Sequence, residues 1–64
     1  MNNQDRLMTI TEVADLLRKP VATLRWWRHT NTGPHSFKIG RDVRYALSDV
    51  HAWIDQQHDE GQPA

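Results

Sequence analysis

A proline at position 20 divides the first half of the chain into two short segments that each favour a helix. Proline suits the first turn of a helix but not its interior, because it lacks an N–H group and clashes with the preceding turn. We therefore expect a first helix from Thr9 to about Arg18 and a second from about Val21 to Thr30. A turn of two or three residues makes two such helices cross steeply, which predicts a helix-turn-helix.

The predicted first helix opens with a capping box. Thr9 is followed three residues later by Glu12, and Met8 and Val13 occupy the positions of a hydrophobic staple around this start. Apolar residues at helical spacing are expected to face the core: Ile10, Val13, Ala14, Leu16 and Leu17.

The predicted second helix has one core side and one exposed side. Steps of three residues keep Val21, Leu24 and Trp27 on a shared side, which is expected to pack on the first helix. The same periodicity assigns Trp53, further along the chain, to the core. The opposite side carries Ala22, Arg25, Trp26 and His29, with Thr23 at one edge and Arg28 near the core boundary.

The second half of the chain predicts a hairpin and a third helix. Ser36 to Ile39 and Val43 to Leu47 alternate as strands around a turn at Gly40, Arg41 and Asp42. Ser48 resembles an N-cap, and an apolar stripe of Val50, Trp53 and Ile54 follows it. The predicted fold is mainly α with a small β-hairpin: a winged helix-turn-helix with three helices and a two-stranded wing.

Length and composition exclude several classes of protein. A chain of 64 residues predicts one small domain, placed at residues 7–57, between a flexible N-terminus (1–6) and a flexible C-terminal tail (58–64). Without cysteine it has no disulfide framework and no thiolate zinc site. No signal peptide or membrane span is apparent, so we expect a cytoplasmic protein.

Catalysis and metal binding also find no support in the sequence. The four histidines lack the spacing of a ligand set, and no histidine is evidently held as a base beside a nucleophile. We therefore expect no metal, no cofactor and no enzymatic activity.

A basic block occupies the middle of a chain whose formal net charge is zero. Between Arg18 and Arg44 it contains seven lysine and arginine residues and one acid, Asp42, while the other acids lie before and after it. Such a block presents positive charge on one part of the surface, which favours a nucleic-acid partner.

Several motifs between Leu7 and Trp53 combine into a recognisable pattern. They are Thr9-x-x-Glu12-Val13-Ala14-x-Leu16-Leu17, Thr23-Leu24-x-x-Trp27-Arg28, Gly33-Pro34, Phe37-Lys38-Ile39-Gly40-Arg41-x-Val43-Arg44-Tyr45 and Ser48-Asp49-Val50-x-Ala52-Trp53. Together they resemble the small winged helix-turn-helix proteins of the excisionase type, related to the DNA-binding unit of the MerR regulators. The resemblance implies a monomeric DNA-binding domain with its second helix in the major groove. Pro20 and Trp26 depart from the family pattern, in which Ser and a polar residue are more usual.

The predicted DNA contacts fall on the second helix, the turn before it and the hairpin. Arg25 is placed to donate hydrogen bonds to a guanine base or to a phosphate. The alternative is that Arg25 is a solvent-exposed charge without a DNA contact. Arg28 is either a phosphate clamp or a member of a structural ion pair, and Arg41 is expected in the minor groove or on the backbone. Phosphate contacts are expected for Lys19, Lys38 and Arg44. Thr23 is expected to contact the DNA backbone or a base. His29 is expected to lie on the surface that faces DNA.

Trp26 has three possible roles at this stage. An exposed tryptophan can pack on sugars and thymine methyl groups or on a neighbouring protein. Alternatively, it folds onto the hairpin and completes the core.

Three functional hypotheses follow from these observations. The first is an excisionase, or recombination directionality factor, which binds adjacent DNA sites, bends the duplex and promotes excision by an integrase, its expected partner together with neighbouring copies of itself. The second is a small transcriptional regulator with the same DNA-binding surface. The third is a protein-interaction module that uses Trp26 and the third helix.

Overall fold

The computed structural model describes residues 6–61, in which three helices surround a three-stranded antiparallel sheet with the strand order β1-β3-β2. The elements in chain order are β1 (Leu7–Met8), α1 (Ile10–Leu17), α2 (Val21–His29), β2 (Phe37–Ile39), β3 (Asp42–Ala46) and α3 (Leu47–Gly61). The mainly α class with a small β wing is confirmed. The wing is the β2–β3 hairpin with its turn.

Strand β1 was not predicted, because two residues are too short to show an alternating pattern. Leu7 pairs with Ala46 and Met8 with Tyr45, so β1 adds a third strand to the predicted two-stranded sheet. The carbonyl oxygen of Arg6 accepts a hydrogen bond from the Leu47 N–H at 2.8 Å. The rest of the predicted flexible N-terminus, residues 1–5, lies outside the described residues.

The capping box at the start of α1 is confirmed. Thr9 Oγ1 accepts a hydrogen bond from the Glu12 N–H at 3.1 Å, and Glu12 Oε1 accepts one from the Thr9 N–H at 2.9 Å. The helix ends at Leu17, and Arg18 adopts the left-handed conformation with φ 57° that closes many helices. Leu16 was wrongly assigned to the core, since 46% of it is exposed.

Helix α2 begins at Val21, as the proline predicts. Pro20 occupies the N-cap position with φ −62° and ψ 148°, values that suit an extended residue just before a helix. Leu24 is fully buried, whereas Val21 and Trp27 are half-buried on the same side. Thr30 is the C-cap, so the helix ends one residue earlier than expected.

The wing and α3 differ from expectation at their boundaries. Ser36 precedes β2, and α3 starts at Leu47 directly after β3, so Ser48 lies in the first helical turn and is not the N-cap. Helix α3 continues to Gly61, four residues beyond the predicted domain limit at 57. The flexibility of the tail stays a prediction, and residues 62–64 lie outside the described part.

The core lies between α1, α2, the sheet and the first turns of α3. Its buried residues are Met8, Val13, Ala14, Leu24, Tyr45 and Val50. Trp27 packs against this cluster, but Trp53 is only half-buried and lies against Trp27, with ring centroids 5.3 Å apart and an interplanar angle of 49°. Trp27 therefore contributes to the core as predicted, whereas Trp53 is not among the core residues and forms a tilted aromatic pair with Trp27 at the edge of the core.

Between residues 6 and 61, no helix combines the length and apolar character that a membrane crossing requires.

Candidate nucleic-acid interface

The outer side of α2 is open to solvent. Arg25, Trp26 and His29 are exposed there, because the helical period that buries Leu24 turns these positions away from the core. Trp26 is 61% exposed, so the alternative that it completes the core is wrong. Arg25 and His29 form no hydrogen bond or ion pair with any residue in the described part of the chain.

A concavity lies between α2 and the sheet, and it gathers part of the predicted site. Arg25, Arg28 and His29 line it from α2, while Ile10 of α1 and Val43 of β3 supply apolar surface. The three α2 residues meet there because positions i, i+3 and i+4 share a helix side. No acidic residue is among these lining side chains. We name this feature the α2–sheet concavity.

Arg28 is anchored within the protein. Its Nε donates a hydrogen bond to Ser36 Oγ at 3.1 Å, in a part-buried position. Ser36 also interacts with the Tyr45 hydroxyl, so polar side chains connect α2 to β3 through the loop between them. Burial raises the pKa of Tyr45, while the nearby Arg28 charge and the Ser36 hydrogen bond oppose this rise. Of the two alternatives for Arg28, the structural contact is present, although to a hydroxyl and not to an acid.

Ser36 was not among the predicted site residues. The sequence placed it at the start of a strand, and a serine before a strand has no pattern that indicates a partner eight positions earlier. Its contact depends on how the loop after α2 folds back, which only the three-dimensional structure provides.

The wing presents its cations in different directions. Lys38 pairs directly with Val43 across the hairpin, and Phe37 pairs with Arg44. Because directly opposed residues share a sheet face and neighbours along a strand alternate, Lys38 lies on the face of Val43 and Arg44 on the other face. The two cations therefore lie on opposite faces of the hairpin, and the phosphate contacts expected of them stay a prediction.

Arg44 also has partners of its own. Its Nη1 donates to the Val43 carbonyl oxygen at 2.8 Å, and its Nη2 lies 3.8 Å from Asp42 Oδ2. The side chain of Arg44 is 31% exposed and that of Asp42 70%, so the ion pair is at the surface and only weakly stabilising.

The wing turn contains two residues, Gly40 and Arg41, between the paired residues Ile39 and Asp42. Gly40 has φ 63° and Arg41 does not have a positive φ, which is the pattern of a type II′ hairpin turn. Arg41 is exposed at this tip, and the described chain offers it no hydrogen bond or ion pair.

The remaining predicted residues lie at the start of α2. Lys19 is exposed in the turn before Pro20, and its backbone N–H donates to the Ala14 carbonyl oxygen at 2.9 Å. Thr23 is half-buried in the first turn of α2. Neither residue lines the α2–sheet concavity.

The charges of the fold are arranged by element. The basic block occupies the turn after α1, helix α2 and the wing, while α1 carries Glu12 and Asp15 and α3 carries Asp49, Asp55, Asp59 and Glu60. In residues 6–61, no group of three or more histidine and acidic side chains is positioned to hold a metal ion.

Comparison with known proteins places this arrangement in a family. Neither the search of curated proteins nor that of solved structures found a match. A family model described as a helix-turn-helix domain matches residues 7–58, which is most of the chain. That match spans α1, the turn at Pro20, α2, the wing and most of α3. The chain therefore belongs to the helix-turn-helix domain family, a family of small DNA-binding domains.

Proposed function

We propose that the domain binds double-stranded DNA with the outer side of α2 in the major groove and the wing turn on the neighbouring backbone or minor groove. The observation that carries this proposal is the pair of exposed α2 side chains, Arg25 and His29, which have no partner among residues 6–61. An arginine on a helix in the major groove can donate two hydrogen bonds to guanine O6 and N7.

The wing supplies a second contact in this proposal. Arg41 extends from a two-residue turn, and an arginine at such a tip fits a narrow minor groove, where the negative potential is strongest. Lys38 and Lys19 are exposed cations suited to phosphate. Arg44 contributes less, because Asp42 and the Val43 carbonyl already engage its guanidinium.

A direct test begins with the selection of a duplex from a random library and a measurement of affinity by fluorescence anisotropy. We expect a preferred site whose binding weakens when Arg25 is replaced by alanine. If the chain binds no duplex at moderate salt, the result would instead support the protein-interaction alternative, in which Trp26 contacts another protein.

For biological role, we propose an excisionase that binds adjacent sites, bends DNA and directs an integrase towards excision. The motifs from Thr9 to Trp53 that resemble the excisionase type support this role. A single small module covers few base pairs, so cooperative binding to neighbouring sites is the expected route to specificity.

An excision reaction with purified integrase and attachment-site DNA tests the role separately from DNA binding. We expect excision to depend on the domain and bent complexes to appear in a gel-permutation assay. Full excision without the domain, together with retained DNA binding, would leave a transcriptional regulator as the function.

A further inference from the structure

We propose that the α2–sheet concavity is the binding site of one phosphodiester group of the bound duplex, which Arg25, Arg28 and His29 contact. This inference rests on the proposed DNA binding and specifies a site within it. The phosphate oxygens would accept hydrogen bonds from the three α2 side chains, and the adjoining deoxyribose would pack on Ile10 and Val43.

The composition of the concavity matches this ligand. Two guanidinium groups and an imidazole line it with no acidic side chain among the lining residues, so the repulsion between the two guanidinium charges favours occupation by an anion. Ile10 and Val43 are half-buried and present carbon surface beside these donors. A phosphodiester joined to a sugar combines the charged group and the C–H surface that such a concavity requires.

Arg28 differs from an ordinary surface arginine in its orientation. The hydrogen bond from its Nε to Ser36 Oγ at 3.1 Å restrains the guanidinium plane. Within residues 6–61 the two terminal nitrogens of Arg28 have no recorded partner, so they remain free to donate to a phosphate as a pair. A guanidinium that is fixed before binding loses less conformational entropy when the complex forms.

The site also explains how the two proposed roles of Arg28 combine. The Nε group makes the structural contact, and the terminal nitrogens make the phosphate contact. Arg25 and His29, which are exposed, complete the donor set from the same side of α2. Arg25 would donate its Nε–H to the phosphate, which leaves its terminal nitrogens for guanine O6 and N7.

The experiment replaces backbone phosphates of the selected duplex one at a time by neutral methylphosphonates and measures affinity for the parent chain and for variants. We expect one linkage whose neutralisation weakens the parent chain about tenfold or more, as for loss of a charged hydrogen bond. The same neutralisation should weaken the binding of each variant only about twofold or less, because its phosphate contact is already impaired. The variants are Arg28→Ala, Arg25→Gln and His29→Gln.

Arg18→Gln is the matched control, since it removes an exposed cation that lies outside both the concavity and the proposed DNA contacts. It should retain the full loss at the same linkage. The exposed positions of Arg25 and His29 keep the test valid if Arg28→Ala fails to fold, which circular dichroism would reveal.

The outcomes separate the inference from the function on which it rests. The phosphate site is overturned, and DNA binding is left intact, if the chain binds DNA selectively but no phosphate neutralisation is coupled in affinity to substitution of Arg25, Arg28 or His29. Equal coupling of the same linkage to Arg18 also overturns it, because the contact would then be general charge attraction. Failure to select or retain any duplex removes the proposed function and the inference together.

Discussion

At the scale of single residues, Gly33 is constrained both by its backbone and by a neighbour. Its φ is +76°, a conformation that side chains with a Cβ rarely adopt. A Cβ at this position would lie 2.8 Å from Cε3 of Trp27, closer than real contacts allow. The loop after α2 can therefore pack on the Trp27 ring only with glycine at this position.

Replacement of Gly33 by alanine is expected to lower the free energy of unfolding by about 2 to 3 kcal/mol, from backbone strain and the contact with Trp27. Urea denaturation followed by circular dichroism measures this loss. Gly40→Ala is the matched control, because Gly40 has a similar φ of +63° but nothing within 4 Å of a built Cβ. Equal losses for the two variants would show that the Trp27 contact contributes nothing.

A second residue-scale prediction separates base reading from phosphate attraction. Arg25→Ala is expected to reduce discrimination between the selected duplex and single-base variants, with a cost of about 1 to 3 kcal/mol at the site and less elsewhere. Lys38→Ala should weaken all duplexes alike and lower the magnitude of the salt slope by about one. Anisotropy titrations at several salt concentrations distinguish the roles, and an unchanged discrimination in Arg25→Ala would contradict base reading.

At the scale of elements, the start of α1 depends on charge. The pKa of Glu12 lies below its ordinary value of 4.5, first because its carboxylate accepts a hydrogen bond from the Thr9 backbone and then because of the Thr9 side chain, with Arg6 and Arg44 adding to the effect. Since the folded pKa is depressed, the associated stability is present above the ordinary value and is lost as the pH falls through the folded pKa.

We predict that Thr9→Ala costs about 1 kcal/mol at neutral pH, as is usual for loss of an N-cap hydroxyl. Glu12→Gln should reduce stability at neutral pH, and the difference from the parent chain should shrink as the pH falls below 4.5. Urea denaturation of both chains across this range checks the sign. A difference that grows towards acid pH would contradict a depressed pKa.

The connection between α2 and β3 gives a second element-scale prediction. Ser36→Ala removes the acceptor of the Arg28 Nε hydrogen bond and the hydroxyl that interacts with the buried Tyr45, which is expected to cost about 1 to 2 kcal/mol. The double variant Ser36→Ala with Tyr45→Phe should lose less than the sum of the single losses, because no buried hydroxyl is then left unpaired. Additive losses in chemical denaturation would show that the two side chains do not interact.

At the scale of the whole molecule, the acids of α1 and α3 lie apart from the basic block, within which Asp42 is the single acid, so a neutral chain can still attract DNA. If about five phosphates are contacted, the logarithm of the affinity should fall against the logarithm of salt concentration with a slope near −4.5. Between about 50 and 200 mM salt, binding should then weaken by a factor between about 10² and 10³. Anisotropy titrations over this range measure the slope, and a response close to zero would contradict the proposed surface.

Local features made much of this fold predictable. The capping box at Thr9 and Glu12, the proline at 20 and the glycine at 40 each act through neighbours within a few positions. Helix starts and tight turns follow from such short-range chemistry, so α1, α2 and the hairpin were placed within one or two residues. The central basic block was equally visible, because charge is a property of residue type.

The sequence alone therefore determined the helix-turn-helix, the wing and the position of the positive charge. The tertiary structure decided the addition of β1, the exposure of Leu16, the half-buried position of Trp53, the separation of Lys38 from Arg44 and the anchoring of Arg28 on Ser36. These features depend on pairing and packing between segments far apart in the chain, and no local periodicity encodes which distant surface a side chain meets.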